Sequence, residues 1–134
     1  MKLITRDTDY ALRAVCFIEK NSNKLVTVPE LVQAIRIPRP FLRKILQTLT
    51  KKRILKSYKG AGGGFELALP PNKISLIALI KIFQGSLKLN ECFLRKKACP
   101  NQKTCALKKK IDKIEGLVVR ELSSITIGSL LKGE

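Results

Sequence analysis

The sequence predicts a mainly α-helical fold carrying one small β-hairpin, and three observations predict it. Three apolar stretches of helical period follow one another before residue 53, with a short break ahead of the third. The period then switches to two on either side of Lys59-Gly60-Ala61-Gly62-Gly63-Gly64, a turn with four glycines. A last long stretch, from about residue 104 to 123, returns to helical period. Helix, helix, short break, helix and a glycine-tipped hairpin form the winged helix-turn-helix pattern, here followed by a long C-terminal dimerisation helix.

Each element has its own signal. The first helix runs from about Thr8 to Lys20, with Thr8 or Asp9 as cap and Ala11, Leu12, Ala14, Val15 and Ile18 as apolar stripe. Thr27 opens the second helix, with Glu30 three residues on and Pro29 in the first turn. Arg36-Ile37-Pro38 breaks the chain before a third helix over about Arg39 to Lys52, whose apolar positions are Phe41, Leu42, Ile45, Leu46 and Leu49. Two short strands follow, Ile54 to Tyr58 and Phe65 to Leu69, the second placing Phe65, Leu67 and Leu69 on one face. Ser75 caps a fourth helix that Gly85 stops. In the final helix Leu107, Ile111, Ile114, Val118, Leu122 and Ile125 step by three or four residues between charged positions. The expected organisation is a DNA-binding unit over 1–85, a cysteine-containing segment over 86–105, and a dimerisation helix with its tail over 106–134.

Composition narrows the partners. With 134 residues and 45% hydrophobic content, one folded domain with a core is expected. Lys and Arg number 27 against 10 Asp and Glu, a net charge of +17, so the surface attracts polyanions, double-stranded DNA first among them. No stretch approaches the roughly 18 apolar residues of a membrane span, and the N-terminus lacks a signal-peptide apolar region. A cytoplasmic protein is expected, in which clustered cysteines bind metal or act in redox chemistry rather than form disulfides. No paired acid and base or activated nucleophile is evident, which argues against an enzyme, and no small-molecule substrate is indicated.

The charge concentrates where the fold needs it. From Arg36 to Lys59 there are nine basic residues and no acidic one. Arg39, Arg43, Gln47 and Lys51 recur every four residues opposite the apolar stripe of the third helix, with Lys44 beside them. Guanidinium forks suit guanine O6 and N7, a Gln amide suits adenine, and the remaining cations suit phosphates. Gly60, Gly62 and Gly63 let the hairpin tip approach a sugar-phosphate backbone, and Lys59 at that tip is placed to enter a minor groove. A nucleotide-binding reading of the glycines fails, because Phe65 stands where GxGxxG needs its last glycine and no Lys-Ser/Thr follows.

Cys92, Cys99 and Cys105 lie within fourteen residues, spaced Cys-x6-Cys-x5-Cys. The gaps are longer than the CxxC pair typical of structural zinc sites and better suited to wrapping an iron–sulfur cluster. Arg95, Lys96 and Lys97 favour thiolates and offset a cluster's negative charge. A zinc site completed by a carboxylate, and thiols without metal, remain as alternatives. Cys16, among Ala14, Val15 and Ile18, reads as a small buried apolar residue. The chain contains no histidine, so the fourth ligand is either a carboxylate such as Asp9, reaching the loop of a partner subunit, or not a protein side chain at all. Asp7 is the weaker option, Glu91 adjoins Cys92 too closely for easy chelation, and Asp9 has a competing role as helix cap. The regular seam of the final helix is expected to pair across a two-fold axis, which would set two recognition helices about one DNA turn, roughly 34 Å, apart.

Three stretches, Thr8-Asp9-Tyr10-Ala11-Leu12-Arg13, Ile37 to Leu46 (IPRPFLRKIL) and Lys59 to Ala68 (KGAGGGFELA), resemble the Rrf-two family of bacterial regulators, which includes the iron–sulfur regulator IscR and the nitric-oxide sensor NsrR. The resemblance covers nearly the whole chain. It implies a dimeric winged-helix transcription factor, usually a repressor, with Cys92, Cys99 and Cys105 at the positions of the cluster ligands and Lys59 where the wing carries an Arg for the minor groove. Arg43 stands where IscR-like members carry an acidic residue, so their target sequence does not transfer. Lys108 stands where they use a histidine ligand, whereas Asp9 matches an aspartate that NsrR-like members use. These departures favour a [4Fe-4S] over a [2Fe-2S] cluster. The function expected is therefore DNA-binding regulation modulated by an iron–sulfur cluster that senses iron, redox or nitric-oxide status. The rivals are a thiol- or metal-sensing regulator of the same fold without a cluster, and a small iron–sulfur carrier.

Overall fold

The computed structural model describes residues 3–88 and 106–133. In chain order these form α1 (Arg6–Lys20), α2 (Val28–Ile35), α3 (Arg39–Lys51), β1 (Leu55–Tyr58), β2 (Gly64–Leu67), a 3-10 turn (Pro71–Lys73), α4 (Leu76–Gln84), α5 (Ala106–Ser124) and α6 (Ile127–Lys132). The winged helix-turn-helix expectation holds.

The start of α1 differs from its sequence reading. Thr5, not Thr8 or Asp9, is the N-cap residue, and its side chain makes no capping bond. Thr8 is fully buried instead, its hydroxyl donating to Gln84 Oε1 at 2.7 Å. The same oxygen accepts the Thr5 N–H at 2.9 Å, while Gln84 Nε2 donates to the Leu3 carbonyl at 3.2 Å. The first turn of a helix presents N–H groups with no partner inside the helix. For α1, a side chain at the far end of α4 supplies one.

The second helix follows its sequence signal. Thr27 Oγ1 accepts the Glu30 N–H at 3.4 Å and donates to Glu30 Oε1 at 3.2 Å. Lys24 Nζ lies 2.7 Å from Glu30 Oε2, and that contact, with Thr27, holds the Glu30 carboxyl below its usual range. Arg36 ends α2 in the left-handed region, and Ile37, 2% exposed, pins the turn into the core. In α3, Leu42, Ile45, Leu46 and Leu49 are buried as expected. Phe41 is not: it is 44% exposed, because it sits at the edge of the buried sector in the first turn.

The wing is antiparallel, with Leu55 opposite Leu67 and Tyr58 opposite Gly64. Val26 adds a third short edge: its N–H and carbonyl both bond to Phe65, at 3.1 and 2.8 Å. The period-two face ends at Leu67, since Leu69 lies outside the strand and is 39% exposed.

Two apolar clusters hold the fold. The larger joins α1, α2, α3 and β1 to Ile74, Leu79 and Ile127. The smaller packs Leu76, Ile77 and Ile80 of α4 against Leu122 of α5. Residues 127–132, read as tail, form α6, which Thr126 and Ser129 start with reciprocal capping bonds. Ile127 is fully buried, and its N–H bonds to the Ile74 carbonyl at 2.9 Å. The chain after α5 thus returns to the core built by α1, α2, α3 and β1. The stripe of α5 divides: Leu122 is buried and Val118 packs beside it, whereas Leu107 and Ile114 are 64% and 48% exposed.

Candidate nucleic-acid interface

The third helix presents its basic row outward because its opposite side fills the core. Arg39, Arg43, Lys44, Gln47 and Lys51 are all exposed. Ion pairs among the described residues involve Arg6, Arg13, Lys24, Lys88 and Lys108. None involves Arg39, Arg43, Lys44, Lys51 or Lys59, so these five charges face solvent without a carboxylate. A helix with its side chains is about 10–12 Å across, and the DNA major groove is about 12 Å wide. Such a helix offers base contacts along its centre and phosphate contacts along its flanks.

The hairpin tip is built for a tight reversal. The Gly63 N–H bonds to the Gly60 carbonyl at 3.0 Å, and Gly60 and Gly62 have φ of +87° and +77°. Gly63 answers a different need, since a Cβ there would run into the Tyr58 carbonyl oxygen. Lys59 is exposed at the start of this turn, immediately after β1. Across the hairpin the Tyr58 hydroxyl donates to Glu66 Oε1 at 2.7 Å, which raises the phenol pKa and braces the tip.

Of the expected metal ligands, Cys92, Cys99 and Cys105 lie outside the described residues. Asp9 is on α1 with its side chain 40% exposed and its Oδ2 3.0 Å from Arg13 Nε. Asp7 is 3.9 Å from Arg6 Nε. Cys16 is half-buried on α1, and burial raises its thiol pKa against the opposing effect of Lys20. Among the described residues no cluster of three or more Cys, Asp or Glu could hold a metal ion. Three thiols from the segment between α4 and α5 are the donor chemistry an iron–sulfur cluster takes. The Asp9 carboxylate is partly exposed, and binding anything else would require it to leave Arg13. Lys108, at the position of the resemblance's missing histidine, lies 2.8 Å from Asp112 Oδ2. Lys88 Nζ reaches Glu115 at 3.8 Å, so the residues flanking the cysteine segment border one cleft.

Gln84 was not legible as a positioning residue. Its partners Leu3, Thr5 and Thr8 are 76 to 81 positions away, and no local pattern announces such a cap. Gly116, inside α5, has nothing within 4 Å of where its Cβ would be.

Comparison with known proteins agrees with this geometry. The family model Rrf2, an iron-dependent transcriptional regulator, matches residues 4–133. The HTH-type transcriptional regulator NsrR of Oceanobacillus iheyensis is 32% identical over 129 residues, covering 95% of this chain and 88% of its own. Among solved structures, CymR (YrzC), the global cysteine regulator of B. subtilis, superposes with a TM-score of 0.83 at 21% identity, covering 100% of this chain and 99% of CymR. T. potens IscR gives 0.78 at 23% identity, covering 99% and 88%. With its recognition helix, its glycine-tipped wing and a family match spanning 4–133, the chain belongs to the Rrf2 family of helix-turn-helix transcriptional regulators.

Proposed function

We propose that this regulator is a homodimeric, cytoplasmic repressor whose affinity for double-stranded DNA is modulated by an iron–sulfur cluster. The proposed ligands are Cys92, Cys99 and Cys105, with Asp9 of the partner subunit as the fourth. The observation that carries the DNA part is the row of unpaired cations on α3 and the wing. In this reading Arg43 and Gln47 read base edges, Arg39, Lys44 and Lys51 hold phosphates, and Lys59 enters a minor groove with Gly60, Gly62 and Gly63 allowing close approach.

Dimerisation is supported by α5. Leu107, Ile114 and Leu117 are 64%, 48% and 47% exposed on a helix whose C-terminal turns are already packed. Residues 1–85 then read DNA, 86–105 carry the sensor, and α5 pairs the subunits.

An iron–sulfur cluster, when bound, supplies iron that responds to oxidants, nitric oxide and iron supply. This chain's own residues carry the consequence. The 86–105 segment joins α4, which caps α1 through Gln84, to α5, which would set the spacing of two recognition helices. DNA affinity changes only if the loaded and unloaded forms differ in that spacing.

The test is anaerobic reconstitution followed by native mass spectrometry and DNA binding, on wild type, Cys99→Ser and Asp9→Ala. Cluster mass on a dimer, lost in Cys99→Ser, with loaded and apo protein differing in affinity for an operator obtained by in vitro selection, is the expected result. Equal affinity of the two forms would sink the switch. A cluster unchanged in Asp9→Ala would remove the aspartate. A colourless dimer that still binds DNA would leave the thiol- or metal-sensing reading on the same fold.

A further inference from the structure

Beside the recognition helix is a groove that shares only Lys44 with the expected DNA contacts. It holds about 370 Å³ and lies where the start of α1, the outer flank of α3 and the end of α4 meet. Phe41, Ile45 and Phe83 form its floor, and Arg6, Lys44 and Thr48 its rim, with the Asp7 carboxylate also on the wall. The Arg6 guanidinium carbon is 4.9 Å from the centre of the Phe41 ring, a cation–π distance. Phe41 is 44% exposed, so the described residues leave much of the ring open.

We infer that this groove is a DNA backbone-phosphate site, in which Arg6, held over Phe41, and Lys44 grip the strand flanking the base pairs read by α3. It rests on the DNA-binding reading and adds contacts from α1. Three observations carry it. The first is position. Helix residues advance about 100° each, so Lys44 and Phe41 lie roughly 60° and 120° round α3 from Gln47, on the flank that meets a groove wall when the helix centre faces the bases. The second is charge. Arg6 has one acidic partner, Asp7, at 3.9 Å and well exposed, and Lys44 forms no ion pair among the described residues, so two cations face one carboxylate and the rim stays net cationic. The third is preorganisation. Arg6 is the first residue of α1, in the turn that Gln84 secures through Thr5 and Thr8. Its backbone is therefore held, and the Phe41 ring orients its side chain. A guanidinium so placed loses little freedom on meeting a phosphate, with which it forms paired charge-assisted bonds.

The test uses the full-length protein and two duplexes of equal length, one carrying a site selected in vitro by the wild type and one scrambled, with affinity followed across salt concentration. Arg6→Ala is expected to weaken both duplexes alike, by about tenfold per half-site at low salt, and to lower the salt slope by about 0.9 per bound protomer. Arg6→Lys should recover the slope but only part of the affinity. Phe41→Leu should cost about two- to fivefold with the slope kept, and should add nothing in the Arg6→Ala background. Replacing single phosphates by methylphosphonates should expose one position per half-site that matters to the wild type and not to Arg6→Ala. Unchanged affinity and slope in a folded Arg6→Ala protein overturns the proposal, as does a loss confined to the selected duplex, which would mean base reading. If the wild type itself shows no salt-steep DNA binding, the underlying DNA-binding reading fails instead, and the two outcomes are distinct.

Discussion

Helices α3 and α5 are both amphipathic, yet they spend their apolar faces differently. In α3, Leu42, Ile45, Leu46 and Leu49 are each no more than 4% exposed. In α5 only Leu122 is buried, at 6%, while Leu107, Ile114 and Leu117 are about half exposed or more. The difference is one of available partners. Around α3 the same chain supplies α1, α2 and β1, whereas α5 meets α4 only through its C-terminal turns and leaves its N-terminal half without a cover among the described residues. Apolar period alone says that a face will be buried; it does not say by which chain.

The largest test of that contrast is Leu46→Ala against Ile114→Ala. Truncating a fully buried leucine should cost about 2–5 kcal/mol, seen as a lower denaturant midpoint, whereas Ile114→Ala should leave the midpoint of dilute protein nearly unchanged. Equal losses would mean that α5 is covered within its own chain. Next comes Ile114→Glu, expected to weaken the proposed dimer by about 2 kcal/mol, roughly thirtyfold in dissociation constant. Sedimentation at several concentrations reads this, and an unshifted monomer–dimer equilibrium would move the dimer interface elsewhere. Arg43→Ala should cost about 1–3 kcal/mol and relax preference at one or two base pairs, while Lys59→Ala should weaken all sequences and flatten the salt dependence. A uniform loss for Arg43→Ala would remove it from base reading.

Smaller effects belong to the cap at the start of α2. Thr27→Ala should cost about 1 kcal/mol in thermal unfolding. Glu30 has a carboxyl pKa lowered in the folded chain by Lys24 and Thr27. A lowered folded pKa contributes stability above the unfolded pKa, and that contribution is lost as pH falls through the folded value. Glu30→Gln should therefore reduce stability near neutrality slightly and remove a small part of the acid sensitivity. An acid limb identical in wild type and Glu30→Gln would show the pair to be inert.

Much of the molecule was legible because its signals are local. Thr27 and Ser75 were read as caps from their spacing and bond as expected, to Glu30 and Ala78. Four apolar positions on α3 were read from period, and the outward row of Arg39, Arg43, Gln47 and Lys51 followed as their complement. What escaped depends on distant partners. Thr8 looked like a cap and is a buried donor, because Gln84 comes to it. Phe41 looked like core because it extends an apolar run, but it sits on the edge of the sector, where Arg6 rather than a second layer meets it. Residues 127–132 looked like a tail, being too short to carry a stripe of their own, and are held by Ile127 in a core made of residues far earlier in the chain.

The sequence by itself therefore determined the element types, the winged helix-turn-helix order, the cationic row and the grouping of three thiols, since each follows from periodicity, capping chemistry or composition within a short window. Only the tertiary structure decided that α1 is capped from α4, that Arg6 and Phe41 meet beside the recognition helix, and that the apolar stripe of α5 is half used. Those outcomes turn on which surfaces meet in space, and packing between residues some 35 to 80 positions apart leaves no periodic trace in a single chain.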